Sequence, residues 1–271
     1  MLAILFFALG LVIGSFLNVV IYRYNTHKKL GGRSHCMVCQ NQLEWYDLFP
    51  FFSFVFLRGR CRNCKTKISI QYPLVELTSA LVFLGLFYKF KNMFYLDAPV
   101  FAITMAFYGL MFSVLLVISV YDLKHKIIPD KLSVILGALA FVGLFFFSEF
   151  GFNIHFPSLW DFLSGLVISV PFALIWLMSR GKWMGLGDAK LAVGLGWLVG
   201  FTNILSGTIV AFWSGAIVGL LLIFISRSSK KYSIKSEIPF APFLVLGAIL
   251  AFIFNIHFYK CYYYKQKLSI H

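Results

Sequence analysis

Between Lys190 and Arg227 the chain runs through 36 residues, 191–226, without a charged side chain. As one helix, at about 1.5 Å per residue, that run would reach roughly 54 Å, well beyond a hydrocarbon core of about 30 Å. It must therefore fold back, and Gly200-Phe201-Thr202-Asn203 is where turn-forming residues gather. Six further apolar runs occupy residues 2–22, 74–88, 98–121, 132–147, 162–178 and 238–259. Splitting the long run gives eight crossings, so the expected fold is an all-α polytopic membrane protein with the lipid bilayer as its partner. Composition excludes the soluble classes: 60% of residues are hydrophobic and 13% charged, where a soluble domain carries about 25% charged residues. Ordinary numbers of glycine (21) and proline (8) exclude fibrous and disordered chains. The net charge of +14 would suggest nucleic acid in a soluble protein. Here it is read as topology, and no nucleic-acid partner is expected.

Cytoplasmic loops retain Lys and Arg, so the basic residues set the orientation. Nine follow the first span: Arg23, Lys28, Lys29, Arg33, Arg58, Arg60, Arg62, Lys65 and Lys67. Three follow the third span, three the fifth and four the seventh, giving nineteen of the 24 on one side. The other side carries Lys89 and Lys91 with Lys260, Lys265 and Lys267 of the tail. The amino terminus is therefore expected outside. The first span is expected to be a retained anchor, because residues 1–7 contain no basic residue and no clear small-residue cleavage site follows. The expected organisation is a first transmembrane helix over 1–22, a cytoplasmic tetracysteine loop over 23–72, a seven-helix membrane core over 73–259 and an outward-facing tail over 260–271.

The loop contains Cys36-Met37-Val38-Cys39 and Cys61-Arg62-Asn63-Cys64. Each pair can present two thiolates from one tight turn, and two such turns make the tetrahedral sulfur site that zinc prefers. Two disulfides are the alternative, disfavoured in a reducing cytoplasm. Four thiolates leave no open coordination position, so Cys36, Cys39, Cys61 and Cys64 are expected to hold a structural zinc. His35 adjoins the first pair as a possible substitute ligand, although an ordinary loop role is expected. Cys261 stands alone beside Tyr262, Tyr263 and Tyr264, which read as an interfacial belt.

Ten acidic residues make a short list for chemistry. Asp130 and Asp161 suit helix starts, Asp97 and Glu149 fall in outward loops, Glu237 follows a basic loop, and Glu44, Asp47 and Glu76 lie in or beside the tetracysteine loop. Asp122 ends the third span, and Asp188 stands in Gly185-Leu186-Gly187-Asp188. Both fall at the cytoplasmic boundary, where an ionisable group is costly unless it is paired or hydrated. Taken singly, each could merely end or cap a helix. As a pair they can share one proton, leaving one carboxylate to deprotonate a water while the other stays neutral, the chemistry of aspartic proteases. Gly185 and Gly187 would let backbone come close to that acid. Helix ends tilt the choice of base toward Asp188. HExxH, GxSxG and a complete P-loop are absent from the sequence, which removes support for zinc-hydrolase, serine-hydrolase and NTPase readings. Gly194, Gly196, Gly200, Gly215 and Gly219 read as helix-packing positions. A membrane adaptor with structural aspartates and a proton-coupled transporter remain as alternatives. Carboxylates at one leaflet edge with none at mid-bilayer argue against the transporter.

Taken in order, these motifs resemble the type IV prepilin peptidases, also called prepilin leader peptidases, membrane aspartic enzymes with a GxGD signature. The resemblance runs through residues 14–23 of the first span, Ser34-His35-Cys36, Trp45-Tyr46-Asp47, Arg58-Gly59-Arg60-Cys61 and Tyr72-Pro73-Leu74-Val75-Glu76-Leu77. It continues in Asp122-Leu123-Lys124-His125, Ile128-Pro129-Asp130, residues 185–191, and residues 238–244. Two departures are Leu48, where asparagine is usual, and Leu186, where methionine is common. The resemblance implies catalytic roles for Asp122 and Asp188. It also implies cleavage of the short basic leader of type IV prepilins or pseudopilins of pilus or type II secretion systems, at the cytoplasmic face of the bacterial inner membrane. Many members then methylate the new amino terminus with S-adenosylmethionine, although no methyl-donor site is recognisable in this sequence. A basic leader would find local acid in Glu44, Asp47 and Glu76.

Overall fold

The computed structural model describes residues 1–26, 31–32, 34–148, 151–226 and 238–256. Glu149, Glu237, Cys261 and Tyr262 to Tyr264, with the rest of the tail, lie outside the described residues, as do Lys28, Lys29, Arg33 and the basic residues of 227–237. Eight helices of 14 or more residues are described: α1 Leu2–Arg23, α3 Gln71–Leu96, α4 Ala98–His125, α5 Asp130–Phe146, α6 Leu159–Ser179, α7 Leu186–Val199, α8 Phe201–Ser226 and α9 Ala241–Phe254. A short α2, Phe52–Phe56, lies in the loop after α1. The helical class and the number of long helices agree with expectation. Five of them, α1, α3, α4, α6 and α8, are long and apolar enough to cross a membrane. α5, α7 and α9 are shorter, at 17, 14 and 14 residues.

Three boundaries differ from the sequence reading, each for a local reason. The long run breaks at Gly200 alone, whose φ of +80° suits glycine. Phe201, Thr202 and Asn203 already belong to α8, whose first N–H, that of Phe201, donates to Asp161 Oδ1 of α6 at 3.4 Å. The second helix runs past Tyr88 to Leu96 because Lys89 need not end it. Its Nζ donates to the Phe252 carbonyl at 2.6 Å and to Asn255 Oδ1 at 2.7 Å, so the charge is satisfied at the end of α9. α9 begins only at Ala241, since Pro239 and Pro242 limit where a helix can start. A two-residue hairpin, β1 Phe147–Ser148 against β2 Gly151–Phe152, follows α5 and was not foreseen.

Lipid offers no hydrophobic drive between helices, so close backbone approach holds them together. α1 lies on α3 because a Cβ on Gly10 would fall 2.6 Å from Ala80 Cα, and one on Gly14 2.6 Å from Glu76 Cα. Gly196 likewise backs onto Gly165 of α6, and Gly194 onto Gly137 of α5. Gly215 and Gly219 meet only side chains at ordinary distances. Around the fully buried Phe112, Leu115 and Ile118 of α4, the centre of the protein gathers Leu191 and Leu195 of α7 with Leu244 and Val245 of α9. That convergence positions the acids.

Candidate active site and tetracysteine cluster

Asp122 sits one turn before the end of α4, where the left-handed Lys126 (φ 54°) closes the helix by donating its N–H to the Asp122 carbonyl at 2.7 Å. The chain then crosses through the buried Ile128 to α5. Asp188 stands in the first turn of α7, three residues after the N-cap Gly185, which has no side chain of its own to cap the helix. Ile128 also explains Gly187: a Cβ there would lie 2.9 Å from Ile128 Cβ. Gly185 differs, since its Cβ would meet nothing nearer than Asp188 Oδ2 and Gly187 N at 3.9 Å. Its missing side chain leaves the approach to the Asp188 carboxylate clear.

Both carboxylates are buried, at 4% and 7% exposure, and lie within electrostatic reach of each other. The backbone N–H of Ala241 lies near the Asp122 carboxylate, and that of Gly185 near the Asp188 carboxylate. Asp122 Oδ2 and Asp188 Oδ1 are buried with no partner among the described residues. Buried polar atoms are nearly always hydrogen-bonded, so two orphan carboxylate oxygens at one place have the chemistry of a site built to take a water or a polar substrate. The Ala241 contact was missed in sequence; the pattern Pro239-Phe240-Ala241-Pro242 was its only signal. It also removes the helix-end argument for Asp188 as base, because Asp122 faces the amino end of α9.

The cysteines form a second centre. The two CxxC turns are built alike: Cys36 N–H donates to the Asn41 carbonyl at 2.9 Å and Gln40 N–H to the Cys36 carbonyl at 3.0 Å. Cys61 and Thr66, then Lys65 and Cys61, repeat these bonds at 2.8 and 3.1 Å. Gln40 and Lys65 both take positive φ, 58° each. All four thiols are free, and their sulfurs lie within 4.8 Å of one another, with Cys36 Sγ 3.7 Å from Cys64 Sγ. A tetrahedral site with metal–sulfur bonds of about 2.3 Å has sulfurs about 3.8 Å apart, so the donors fit a metal ion. The Thr66 hydroxyl and N–H beside Cys64 bring its thiol down to about 6, while burial and the neighbouring Cys36 and Cys64 sulfurs push that of Cys39 up to about 11, so the four thiols are not alike. His35 is exposed and stands outside this ligand group.

The loop is tied down at three places. Phe51 N–H donates to Glu76 Oε2 at 2.7 Å, Asn18 Nδ2 to the Tyr72 carbonyl at 3.0 Å, and Arg62 pairs with Asp47 at 2.9 Å while lying over the Tyr46 ring. These bonds correct the expectation that Glu44, Asp47 and Glu76 together offer acid to a basic leader. Asp47 and Glu76 are engaged inside the protein, and of the three only Glu44 is exposed.

A multi-helix membrane protein with a buried carboxylate pair and a separate four-thiol cluster is the class that this fold and these sites define. Residues 8–90 match the family model described as the bacterial peptidase A24 N-terminal domain, and residues 109–220 match the type IV leader peptidase family. The prepilin leader peptidase/N-methyltransferase of Pectobacterium carotovorum subsp. carotovorum is 31% identical over 278 aligned positions, covering 91% of each chain. Proteins of the same name from Vibrio cholerae and Bacillus subtilis are 27% and 28% identical, each covering 95% of the relative and 92% and 94% of this chain. No solved structure matches. The chain belongs to the type IV leader peptidase family.

Proposed function

We propose that this protein is a membrane aspartic endopeptidase that removes the short leader of type IV prepilins or pseudopilins, with Asp122 and Asp188 as the catalytic pair. The observation that carries the reading is the orphaned oxygen on each of two buried carboxylates within electrostatic reach of each other. One carboxylate is ionised and takes a proton from a water held between them, and the oxygen of that water attacks the scissile carbonyl carbon. The neutral partner donates its proton to the carbonyl oxygen. Collapse of the tetrahedral intermediate breaks the C–N bond: the leaving amine takes up the proton removed from the water, and one hydroxyl of the intermediate returns its proton to the partner carboxylate as the carbonyl re-forms. Gly185 leaves room for the substrate strand beside Asp188, and Gly187 lets α7 seat against Ile128.

The asymmetry of nineteen basic residues against five supports an outside amino terminus and a catalytic pair at the cytoplasmic face of the bacterial inner membrane. A substrate whose apolar helix enters the bilayer there would leave its leader in the cytoplasm. The same reading treats residues 23–72 as a cytoplasmic domain and 73–259 as the peptidase core. The sulfur spacing supports zinc held by Cys36, Cys39, Cys61 and Cys64; with four thiolates bound, it would fold the loop and activate no water. The names of the relatives support a second activity, N-methylation of the new amino terminus, for which S-adenosylmethionine supplies an electrophilic methyl group.

The test is the intact mass of a prepilin substrate co-expressed with wild-type, Asp122→Asn or Asp188→Asn protein in cells lacking their own peptidase. Leader loss with wild type alone, and a product one methyl group heavier than the bare fragment, is expected. A leader removed by either variant would overturn the catalytic assignment, and a cleaved but unmethylated product would overturn the second activity.

A further inference from the structure

At the end of the helix bundle away from Asp122 and Asp188 lies a cavity of about 280 Å³. α7 sets the separation, since Asp188 stands in its first turn and Val199, its last residue, lines the cavity. α7 and α9 have 14 residues each, about 21 Å of helix, too short to cross a hydrocarbon core of about 30 Å. Their ends leave a recess between longer neighbours, and the turn at Gly200 opens into it. Non-helical backbone at membrane depth is stable only inside protein or beside a polar cavity. Trp160, exposed with its ring centroid 5.3 Å from that of Phe201, and the exposed Tyr95 stand at the same end, as aromatic residues do at headgroup level.

Lys89, Asp161 and His155 are the side chains of its lining that carry charge near neutral pH. Lys89 is oriented by two neutral acceptors, the Phe252 carbonyl at 2.6 Å and Asn255 Oδ1 at 2.7 Å. Asp161 takes the Ser158 hydroxyl on Oδ2 at 2.7 Å and the Phe201 N–H on Oδ1 at 3.4 Å, and each carboxylate oxygen has a second lone pair. His155 donates from Nδ1 to the Asn153 carbonyl at 3.0 Å, so its neutral ring has an acceptor at Nε2. Asn203, 5% exposed, also lines the cavity; its Nδ2 donates to the Val199 carbonyl at 3.3 Å, while its Oδ1 is buried with no partner among the described residues. Buried polar atoms are nearly always partnered, so this oxygen marks a place for a donor. The lining combines one fixed cation with several acceptors, beside the rings of Tyr108 and Phe252, whose faces attract an ammonium.

A primary ammonium joined to a phosphate matches both halves of that lining. We propose that the cavity receives the headgroup of phosphatidylethanolamine, its ammonium toward Asn203 Oδ1 and Asp161 and its phosphate toward Lys89, with the acyl chains outside against the helices. The volume, just under the roughly 300–1,000 Å³ of drug-sized sites, fits a headgroup and not a whole lipid. On the orientation proposed above, the lipid comes from the outer leaflet. The inference goes beyond the peptidase reading and does not depend on it.

The test is native mass spectrometry of the purified, metal-loaded full chain in detergent micelles, titrated with dioleoyl phosphatidylethanolamine, dioleoyl phosphatidylglycerol or glycerophosphoethanolamine. The proteins are wild type, Asn203→Leu and Thr202→Trp. Asn203→Leu removes the unpartnered acceptor at nearly constant volume. Thr202, exposed on the cavity lining, becomes in Thr202→Trp a plug that decides the matter should Asn203→Leu fail to fold. Wild type is expected to retain one phosphatidylethanolamine, and phosphatidylglycerol, which lacks the ammonium, to bind at least about tenfold more weakly. Each variant that keeps the wild-type thermal transition is expected to lose at least about tenfold in affinity for phosphatidylethanolamine. Equal binding of the two lipids by wild type, wild-type affinity in a folded Thr202→Trp protein, or no retained phosphatidylethanolamine would overturn the site. Glycerophosphoethanolamine, the same headgroup without acyl chains, is expected to bind more weakly than the lipid, and equal affinity would overturn the lipid as its source in favour of a soluble ligand.

Discussion

Among the described residues, the buried side-chain oxygens without a partner include two that belong to carboxylates, Asp122 Oδ2 and Asp188 Oδ1. Both acids were legible in the sequence because an aspartate at the edge of an apolar run is conspicuous. What made them a pair was not legible, since their meeting depends on how α4, α7 and α9 pack. The two glycines of the motif were read alike, yet they do different things. Gly187→Ala drives a methyl group to 2.9 Å from Ile128 Cβ, and overpacking of this kind costs about 1–3 kcal/mol. Gly185→Ala meets only ordinary contacts. The expected outcome is a lowered melting temperature for Gly187→Ala. Gly185→Ala should melt like wild type while its KM for leader peptide rises, because the added methyl stands beside the Asp188 carboxylate. Equal melting temperatures for the two variants would contradict this division of roles.

At the scale of the element, the spacing of the cysteines announced a metal-binding loop, and the matched hydrogen bonds of its two turns give the reason. The ties to the membrane helices, Phe51 to Glu76 and Asn18 to Tyr72, were invisible because they join residues far apart in sequence. Lys89 misled for a similar reason: a lysine reads as the end of a span until a distant carbonyl, that of Phe252, accepts its protons. The loop has little core of its own, and Cys61 is its only fully buried cysteine. Arg58, Arg60 and Arg62 are already exposed, so stripping the metal with a chelator should loosen the backbone around them and speed tryptic cleavage there, while helix content measured by circular dichroism hardly changes. A loop that stays protected after complete metal removal would show that the metal does not hold it.

Across the whole molecule, the membrane architecture was the most legible feature, since a 36-residue uncharged run admits few solutions. The shorter α7 and α9 were harder to delimit because they are central, and their placement depends on burial against α4 more than on apolar length. Their convergence holds two carboxylates in one buried site, and the central claim is that they act as a unit. A unit that shares one proton works only in its singly ionised state, so activity falls when the pair gains a second proton at low pH and when it loses the last one at high pH. The most direct test is the pH dependence of single-turnover leader cleavage by purified wild type, Asp122→Asn and Asp188→Asn, with Asp130→Asn as the control. Asp130 pairs with Lys190 at 2.7 Å on the exposed surface, a bond worth about 0–1 kcal/mol. The account predicts a bell-shaped profile for wild type and for the control, and loss of at least about a hundredfold at every pH for each catalytic variant. A variant at Asp122 or Asp188 that cleaves within tenfold of wild type at any pH would contradict it.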